Sequence, residues 1–323
     1  MAVERVVAVV VSYNRERLLE ETLSGLLAQE RPVDAVIVVD NASSDGSLEV
    51  ARRFLPENEI VALTRNTGGA GGFAAGMAEA LRRFRPDWIW VMDDDTVPRP
   101  GALAALLGAL HRHPRPTRVA ALGSRVVWTD GREHPMNTPR RKPFVGREER
   151  AAAAAARAMP VRSISFVSSM FRAEAVREEG LPVVDYFLWN DDFEFSARIL
   201  RHRWGLAVPD SVVEHKTRVR GSTDADPGAR FFFEVRNKIW LFLRSPALSP
   251  WERAVYVGAS AVRWIRTIAR SEDRSVLWRG LRKGAMEGVR AGPRSNLDVL
   301  VDSGLDSAAL DFITGLGGPR RLG

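Results

Sequence analysis

The 323-residue sequence contains no cysteine and has only 3 tyrosines and 5 histidines. Without cysteine there is no disulfide, no thiolate zinc site and no cysteine nucleophile, so any bound metal must use oxygen or nitrogen ligands. The absence of cysteine also favours a reducing compartment. With 45% hydrophobic and 27% charged residues, the composition is that of a folded globular protein.

Long hydrophobic runs are also missing. The most apolar segments, near residues 102–110 and 239–243, are far shorter than the roughly 20 residues that a membrane-spanning helix needs. The N-terminus enters the apolar stretch Val6 to Val11 without a preceding basic region or a small-residue cleavage site. We therefore expect neither a signal peptide nor a membrane span.

The excess of positive charge is confined to the C-terminal part of the chain. The formal net charge is +7, and residues 230–323 carry 16 Lys and Arg against 9 Asp and Glu, so residues 1–229 are neutral. A basic region of this kind can serve an anionic membrane surface, a polyphosphate ligand or nucleic acid. The alternative is a set of arginine-rich, solvated helix faces. Nucleic-acid binding would leave the neutral, acid-bearing part unexplained, so we expect no nucleic-acid partner.

Apolar runs typical of buried strands alternate with helical segments before Pro227. Strands are predicted at residues 6–11, 36–39, 60–63, 88–92, 163–171, 184–189, 206–209 and 212–213. Between residues 129 and 159 the pattern predicts an irregular excursion with a short helix at an alanine tract. We predict an α/β fold: a mostly parallel sheet flanked by helices in residues 1–228, and a helical C-terminal region in residues 229–323.

Acidic residues stand where two predicted strands end, and α/β sheets bind ligands at the carboxyl ends of their strands. Asp93, Asp94 and Asp95 directly follow a buried strand, and adjacent carboxylates repel one another unless a cation relieves them. Their oxygens suit Mg²⁺ or Mn²⁺ bridging a diphosphate, although a solvated acidic turn is the alternative. Asp40 ends another strand and can accept hydrogen bonds from a nucleobase or a ribose, with an Asx turn as the alternative.

The segment from Asn66 to Phe73 carries four glycines, among them Gly71 and Gly72. We interpret it as a strand-to-helix loop whose backbone can approach a phosphate or a sugar closely. The spacing is not that of a dinucleotide-binding loop, because it follows the third strand and lacks a Walker lysine. On its own this motif is weak.

A second acidic group, Asp191 and Asp192, opens a predicted helix after an aromatic run that ends at Trp189. Paired carboxylates in an apolar frame raise at least one pKa, which suits a general base that removes a proton from a hydroxyl. Helix capping is the competing explanation. His215 follows a short strand, and a lone histidine is more often structural than a ligand.

Together these motifs resemble those of the family 2 glycosyltransferases, which have the GT-A fold. The motifs occur in that family's order: Ser12 to Arg15 after the first strand, Asp40 with Asp45, the Asn66-Thr-Gly-Gly segment, the acid triplet and the acid pair. The resemblance covers about residues 4 to 245. Within the family, residues 68–75, 87–95 and 230–237 look most like the actinobacterial cell-wall galactofuranosyltransferases, and rhamnosyltransferases share much of the pattern.

The resemblance implies a role for each matching residue. The nucleoside would be bound by Ser12, Tyr13, Asn14, Arg15 and Asp40, and further substrate contacts would come from Asn66, Gly71, Gly72, Asp94 and Trp189. Asp93 and Asp95 would be the ends of the metal-binding Asp-x-Asp motif, completed by His215. Asp192, with Asp191 beside it, would be the catalytic base.

The implied reaction is an inverting, metal-dependent sugar transfer. The donor would be UDP-galactofuranose, the cofactor Mn²⁺ or Mg²⁺, and the acceptor a prenyl-diphosphate-linked glycan; transfer from dTDP-rhamnose is the alternative. A nucleotidyltransferase would carry a glycine-rich, basic loop after the first strand, where this chain has Ser12 to Arg15. A non-catalytic nucleotide-sugar-binding protein would have lost the acid triplet or the base, and both are present.

A C-terminal helix near residues 251–270 is predicted to be amphipathic, and a similar helix follows it. In the first, Arg253 and Arg263 share one face while Val257 and Ile265 share the other. We predict peripheral association with the anionic inner face of the cytoplasmic membrane. The alternative is packing of the apolar faces onto the rest of the chain or onto a second subunit of a homo-oligomer.

Overall fold

The computed structural model describes residues 4–217 and 226–316, in which a central sheet is covered by helices on both faces. Its strands are β1 (Val6–Ser12), β2 (Ala35–Asp40), β3 (Ile60–Ala62), β4 (Trp88–Asp93), β5 (Thr96–Pro98), β6 (Val119–Val127), β7 (Arg140–Arg141), β8 (Met159–Ser163), β9 (Ser169–Arg172) and β10 (Trp204–His215). Its α-helices are α1 (Glu16–Leu27), α2 (Ser47–Phe54), α3 (Gly68–Arg83), α4 (Ala102–Arg112), α5 (Arg147–Ala155), α6 (Ala173–Glu179), α7 (Asp191–Ile199), α8 (Phe231–Arg244), α9 (Pro250–Arg270), α10 (Arg274–Arg290), α11 (Asn296–Leu300) and α12 (Ser307–Gly315). The predicted α/β class is confirmed.

The sheet has the strand order β3-β2-β1-β4-β9-β6-β10-β8-β7, and β5 pairs with β10. β1 is parallel to β2 and β4, and β2 is parallel to β3. β9 is antiparallel to β4 and β6, whereas β10 is parallel to β6 and antiparallel to β5 and β8. The parallel arrangement therefore holds for the N-terminal half of the sheet, and the other half is mixed.

β1 shows why the first strands are unbroken apolar runs. Val7 and Val9 face a core built with α3, α6, α7, α11 and α12, whereas Val6 and Val10 face a core built with α1, α2, α4 and α5. Because both faces of the strand are buried, no position is left for a polar residue until the strand ends.

The glycine-rich segment after β3 is helical rather than a loop. α3 begins at Gly68, whose positive φ of 73° brings the chain into the helix. A Cβ at Gly71 would lie 2.3 Å from Thr67 Oγ1, and one at Gly72 would lie 2.4 Å from Val11 Cγ1. Gly72 is needed because α3 lies directly on β1, and Gly71 because the Thr67 side chain lies against the first turn of α3; the sequence pattern reveals neither packing requirement.

The predicted strand at residues 184–189 is wrong. Val184–Tyr186 forms a 3-10 turn, and Phe187, Trp189 and Asn190 then adopt positive φ angles of 62°, 67° and 64°. A left-handed backbone cannot continue a strand. The two strands predicted near residues 206–213 are one strand, β10, with a register shift against β6 between Val208 and Val212. The excursion at residues 129–159 contains the predicted helix at the alanines, α5, and also β7.

The described part of the chain after residue 228 is helical, as predicted. α11 and α12 complete the core beside α3, and Thr64 donates a hydrogen bond of 2.8 Å from its backbone N–H to the carbonyl of Ser303. The division of the chain into domains at residue 228 stays a prediction. Among the described residues, no helix combines the length and the apolarity that crossing a bilayer requires.

α9 lies with its polar face inward. Glu252 and Ser260 are buried, and Arg263 is partly buried. Apolar residues on the opposite side are exposed: Trp251 (49%), Val255 (61%), Val262 (47%) and Ile265 (68%). These apolar residues therefore do not pack on the rest of the described chain.

Candidate active site

Neighbouring strand ends bring the predicted site residues to one edge of the sheet. In the parallel register Ser12 is opposite Asp40, and Val11 is opposite Asp93. Asp40 accepts a hydrogen bond of 3.1 Å from the backbone N–H of Ser43 through one carboxylate oxygen. Its other oxygen is buried and has no hydrogen-bond partner among the described residues. The Asx turn therefore uses only half of this carboxylate.

The loop from Ser12 to Arg15 is held by the acid triplet. Tyr13 donates its backbone N–H to Asp94 Oδ2 at 2.9 Å, and the Arg15 guanidinium contacts both Asp94 and Asp95. Burial raises the pKa of Asp94 to about 7, although the charge of Arg15 opposes this shift. Asn14 accepts a hydrogen bond of 2.7 Å from the backbone N–H of Ser44, which ties the loop to the turn after β2. The side chain of Asp94 thus positions the loop.

Asp93, Asp95 and His215 form a group whose ligand atoms all lie within 4.8 Å of one another. His215 Nδ1 lies 2.9 Å from Asn137 Oδ1, a contact that orients the ring and favours the tautomer with the proton on Nδ1. The Nε2 of His215 is 3.1 Å from Asp95 Oδ1, a buried oxygen without a hydrogen-bond partner among the described residues. In the tautomer with the proton on Nδ1, His215 Nε2 and Asp95 Oδ1 are both acceptors, an arrangement that fits a divalent cation bound by both.

The carboxylates of this group differ in their pKa. Burial raises the pKa of Asp93 to about 6, and the charge of Asp95 adds to the effect. Burial also acts to raise the pKa of Asp95, but without a metal ion the hydrogen bond and charge of a protonated His215, together with Arg15, lower it below its usual value. A bound cation would favour the ionised form of both side chains.

Asp191 and Asp192 are the first residues of α7. Asp191 is buried, and Asp192 Oδ1 accepts a hydrogen bond of 2.6 Å from the backbone N–H of Phe193. Burial raises the pKa of both carboxyls, that of Asp191 well above its usual value because Asp192 adds repulsion. Asp93 also repels Asp191, and Asp192 raises the pKa of Asp93. The two acidic groups are therefore close enough to interact electrostatically.

Glu194, the third acid of this segment, has a separate role. It forms an ion pair of 2.8 Å with Arg198, and both side chains are buried. Ser245 in the segment after α8 donates a further hydrogen bond of 2.7 Å to Glu194. This acid is structural, as is Asp45, which accepts the backbone N–H groups of Glu16 and Ser47.

Three asparagines that sequence reasoning did not single out hold the site together. Asn237 on α8 is fully buried, and its amide lies 2.8–2.9 Å from the carbonyl oxygens of Tyr186, Leu188 and Trp189, so it fixes the left-handed loop before the acid pair. Asn41 binds the start of α3 by accepting the Thr67 backbone N–H at 2.8 Å. Asn137 orients His215, as described above.

Asn41 adjoins Asp40 in the sequence, and Asn237 lies within the segment 230–237, so both stood beside recognised motifs. Asn137 lies in an irregular stretch, and no motif signals it.

Trp189 and the glycines of α3 have different surroundings. Trp189 is partly buried, and its ring lies 5.7 Å from the guanidinium carbon of Arg230. Gly71 and Gly72 are buried, and their Cβ positions would face Thr67 and Val11. That they contact substrate stays a prediction. A Cβ at Gly69, in contrast, would have no atom within 4 Å, so this glycine borders open space. Asn66 lies at the start of the helix and accepts the backbone N–H of Gly68 at 2.7 Å.

Known proteins are similar to this chain in sequence and in fold. Residues 4–236 match the family described as "Glycosyltransferase like family 2". The galactofuranosyltransferase GlfT1 of Mycolicibacterium smegmatis is 32% identical over 263 residues, which cover 76% of this chain and 85% of that protein. The N-acetylglucosaminyl-diphospho-decaprenol L-rhamnosyltransferase of Mycobacterium tuberculosis is 28% identical over 250 residues, which cover 68% of this chain and 78% of that protein.

Solved structures agree in fold. S. aureus TarS 1–349 superposes with a TM-score of 0.59 at 14% identity, covering 92% of this chain and 83% of TarS 1–349. The mannosyltransferase PcManGT of Pyrobaculum calidifontis, solved with GDP-Man and Mn²⁺, gives a TM-score of 0.51 at 20% identity, covering 97% of this chain and 86% of that one. Because the family match and the similarity to GlfT1 each span most of the sequence, this chain belongs to the family 2 glycosyltransferases.

Proposed function

We propose that this glycosyltransferase moves galactofuranose from UDP-galactofuranose, with inversion at the anomeric carbon, onto a prenyl-diphosphate-linked glycan in cell-wall synthesis. The observation that carries the proposal is that the acid pair Asp191 and Asp192 interacts electrostatically with Asp93, a member of the group Asp93, Asp95 and His215. The donor sugar is suggested by the 32% identity to a galactofuranosyltransferase, against 28% to a rhamnosyltransferase.

Asp93, Asp95 and His215 would hold Mn²⁺ or Mg²⁺, which when bound offsets the negative charge that develops on the departing diphosphate. The donor set of two carboxylates and one imidazole suits either ion. We expect loss of activity in excess chelator, recovered by added Mn²⁺. We also expect His215→Ala to bind the metal more weakly than the wild-type protein. Full activity in chelator, or a His215→Ala protein with unchanged metal affinity, contradicts this assignment.

Asp192 is proposed as the base. It removes the proton from an acceptor hydroxyl, the hydroxyl oxygen bonds to the anomeric carbon, and the bond from that carbon to the diphosphate breaks with its electron pair leaving on UDP. Burial raises the pKa of Asp192, which strengthens it as a proton acceptor. No enzyme nucleophile is needed, because attack from the opposite face inverts the configuration.

The nucleoside is proposed to bind at the edge formed by Ser12 to Arg15 and Asp40. The unpartnered buried oxygen of Asp40 can accept a hydrogen bond from the base or the ribose. Asn66 and Trp189 border the same edge of the sheet through their contacts with the start of α3 and the loop before the acid pair.

The deciding experiment incubates the protein with Mn²⁺ and UDP-galactofuranose, dTDP-rhamnose, UDP-galactose or UDP-glucose, and measures nucleoside diphosphate release with a lipid-linked acceptor. We expect release with UDP-galactofuranose alone; a preference for dTDP-rhamnose would overturn the donor assignment. Asp192→Asn should abolish transfer and leave donor binding nearly intact. If Asp191→Asn is inactive while Asp192→Asn keeps most of its turnover, the base is Asp191.

The exposed face of α9 is proposed to bind the membrane surface where the acceptor lipid resides. Phe144, which is 90% exposed, packs against Trp251 with ring centroids 5.6 Å apart and extends this face. Trp278 and Val289 on α10 are exposed as well. Apolar and aromatic side chains within a basic region are typical of peripheral membrane helices.

Sedimentation with anionic and neutral vesicles at low and high salt tests this assignment. We expect salt-sensitive binding to anionic vesicles that Val255→Ser with Ile265→Ser abolishes. Val301→Ser, at an exposed valine outside α9 and α10, is the matched control. Equal, salt-insensitive recovery in the supernatant refutes membrane binding, and a change in oligomeric state in the α9 variant would identify a second subunit as the partner.

A further inference from the structure

A cavity of about 80 Å³ lies where α7 begins, between β7, α8 and α9. A single water needs roughly 10–15 Å³ by this measure, so the cavity has room for a polyatomic group. In the part of the chain that the structure describes, its lining includes the cations Arg140, Lys238 and Arg263 and no carboxylate. Such a concentration of positive charge next to an acidic reaction centre calls for an anionic ligand.

One acid behind the cavity wall compensates for part of this charge. Glu234 lies 2.5 Å from Lys238 Nζ, and it also accepts hydrogen bonds from Asn190 Nδ2 at 2.9 Å and Trp264 Nε1 at 3.3 Å. Burial lowers the pKa of Lys238; Glu234 opposes this shift, while Arg263 and Arg140 lower the pKa further. Asp192 also interacts with the charge of Arg140, which lowers the pKa of that carboxyl. With two carboxylates, Glu234 and Asp192, for three cations, one positive charge remains in excess.

Arg140 is held in place by aromatic rings. Its guanidinium carbon lies 5.1 Å from the ring centroid of Phe193 and 5.8 Å from that of Tyr256. A guanidinium stacked in this way keeps its N–H groups available, and arginine N–H groups match phosphate oxygens in pairs.

The position of the cavity identifies which anion it suits. Asn190 and Phe193 line it and flank the acid pair, so one end opens beside the proposed base. Ala259 also lines it and is exposed on the apolar side of α9, so the other end adjoins the proposed membrane face. A ligand that fills the cavity from end to end would need a hydroxyl group beside the acid pair, an anionic group among the cations and a lipid chain along α9.

We propose that this cavity binds the diphosphate of the lipid-linked acceptor, with the glycan directed to Asp192 and the prenyl chain along the exposed face of α9. The inference rests on the proposed function, in which the acceptor is a diphosphate-linked lipid. The name of the similar rhamnosyltransferase specifies such an acceptor, a diphospho-decaprenol.

A binding measurement tests the cavity without any sugar transfer. Farnesyl diphosphate is titrated into the full-length protein in excess chelator, so that no metal can recruit a diphosphate to the donor site, and binding is measured by calorimetry. We expect Arg263→Gln and Arg140→Gln each to weaken binding at least tenfold, with farnesol binding unchanged. Arg266→Gln, an exposed arginine on the same helix, is the matched control. Wild-type affinity in both cavity variants, or full displacement by UDP, overturns the proposal.

A kinetic measurement separates this proposal from the proposed function. The same glycan is supplied as a prenyl diphosphate and as a neutral octyl glycoside. Arg263→Gln should raise the KM for the diphosphate acceptor about tenfold and leave the KM values for the octyl glycoside and the donor unchanged. Equal effects on both acceptors refute the cavity assignment. If the wild-type enzyme transfers no sugar from any of the nucleotide sugars, the proposed function is refuted. The binding measurement then tests the cavity on its own.

Discussion

The substitution Glu252→Gln should destabilise the protein in a pH-dependent way. Glu252, at the start of α9, pairs with Arg162 on β8 at 2.7 Å, and both side chains are buried. Arg162 also donates hydrogen bonds to the backbone carbonyls of Ala197, at 2.6 Å, and Ala247. Ser249 adds its backbone N–H and hydroxyl to Glu252 as a helix cap, each at 2.8 Å. One carboxylate thus connects the C-terminal helices to the sheet.

The size of the effect follows from the pKa of Glu252. Burial acts to raise this pKa, but the hydrogen bond from Arg162 and those from Ser249 lower it from 4.5 to about 2. At roughly 1.4 kcal/mol per pKa unit this corresponds to about 3 kcal/mol, and to about 2 kcal/mol with allowance for solvent screening. Because the folded-state pKa is the lower one, the stabilisation is complete above pH 4.5 and is lost as the pH falls toward 2.

Urea unfolding followed by tryptophan fluorescence measures this difference. We expect Glu252→Gln to lower the free energy of unfolding by about 2–3 kcal/mol at neutral pH, and the difference from wild type to shrink by about 1 kcal/mol in moderately acidic buffer. Glu272→Gln, at an exposed acid just beyond α9, should change it by less than about 0.5 kcal/mol. A Glu252→Gln protein as stable as wild type at neutral pH, or a difference independent of pH, refutes the reasoning.

The same contacts limit what a truncation can show. Removing the chain from about residue 250 onward would delete Glu252 and leave the Arg162 guanidinium buried without its carboxylate. Breaking a buried pair in this way costs about 3–5 kcal/mol. Loss of activity after truncation would then reflect unfolding, so membrane binding is better tested with surface substitutions on α9.

Three further predictions concern residues that shape the site. Gly72→Ala should lower stability by about 1–3 kcal/mol because its Cβ would meet Val11, whereas Gly69→Ala should have little effect; equal melting temperatures for the two variants would contradict this. Asn137→Leu should weaken Mn²⁺ binding about 10–100-fold in a metal titration, and unchanged affinity would exclude a positioning role. Asn237→Asp removes the amide donor of the loop before the acid pair, so kcat should fall at least about tenfold with donor binding retained; normal kcat would show that the loop does not position the base.

The sequence pattern predicts the elements whose environment is uniform along their length. β1, β2 and β4 are buried on both faces, so each is an unbroken apolar run that ends in a polar residue. The start of α3 could not be predicted, because its glycines are weak helix formers and Gly72 is needed for close packing against β1. The loop before α7 depends on Asn237, about fifty residues farther along the chain, and the local aromatic pattern indicates a strand instead.

The site residues also differ in how far the sequence predicts their positions. Asp40 and Asp93 end parallel strands, and strand ends are where such sheets place ligands, so their proximity follows from topology. His215 joins Asp95 across an antiparallel pair, β10 with β5, which the sequence pattern does not specify; only the family resemblance pointed to it. Asn137 reaches His215 from an irregular segment with no motif, so no sequence signal was available for it.

α9 shows most clearly what periodicity leaves open. An amphipathic pattern predicts two faces but not which one turns inward. Here the polar face turns inward because the chain supplies partners for it: Arg162 for Glu252, the Ser245 carbonyl for Arg253 and the Phe193 ring for Tyr256.

Because the apolar face stays exposed, the protein lacks the stabilising free energy of its burial, roughly 25 cal/mol for each Å² of apolar surface. A surface of this kind is retained when another surface covers it, since an isolated monomer gains nothing from it. The cavity beneath α9 bears on which of the two proposed partners, a second subunit or a bilayer, covers the apolar face. A second subunit would account for the apolar face but not for three cations converging beside the acid pair, whereas a bilayer carrying a diphosphate-linked acceptor accounts for both.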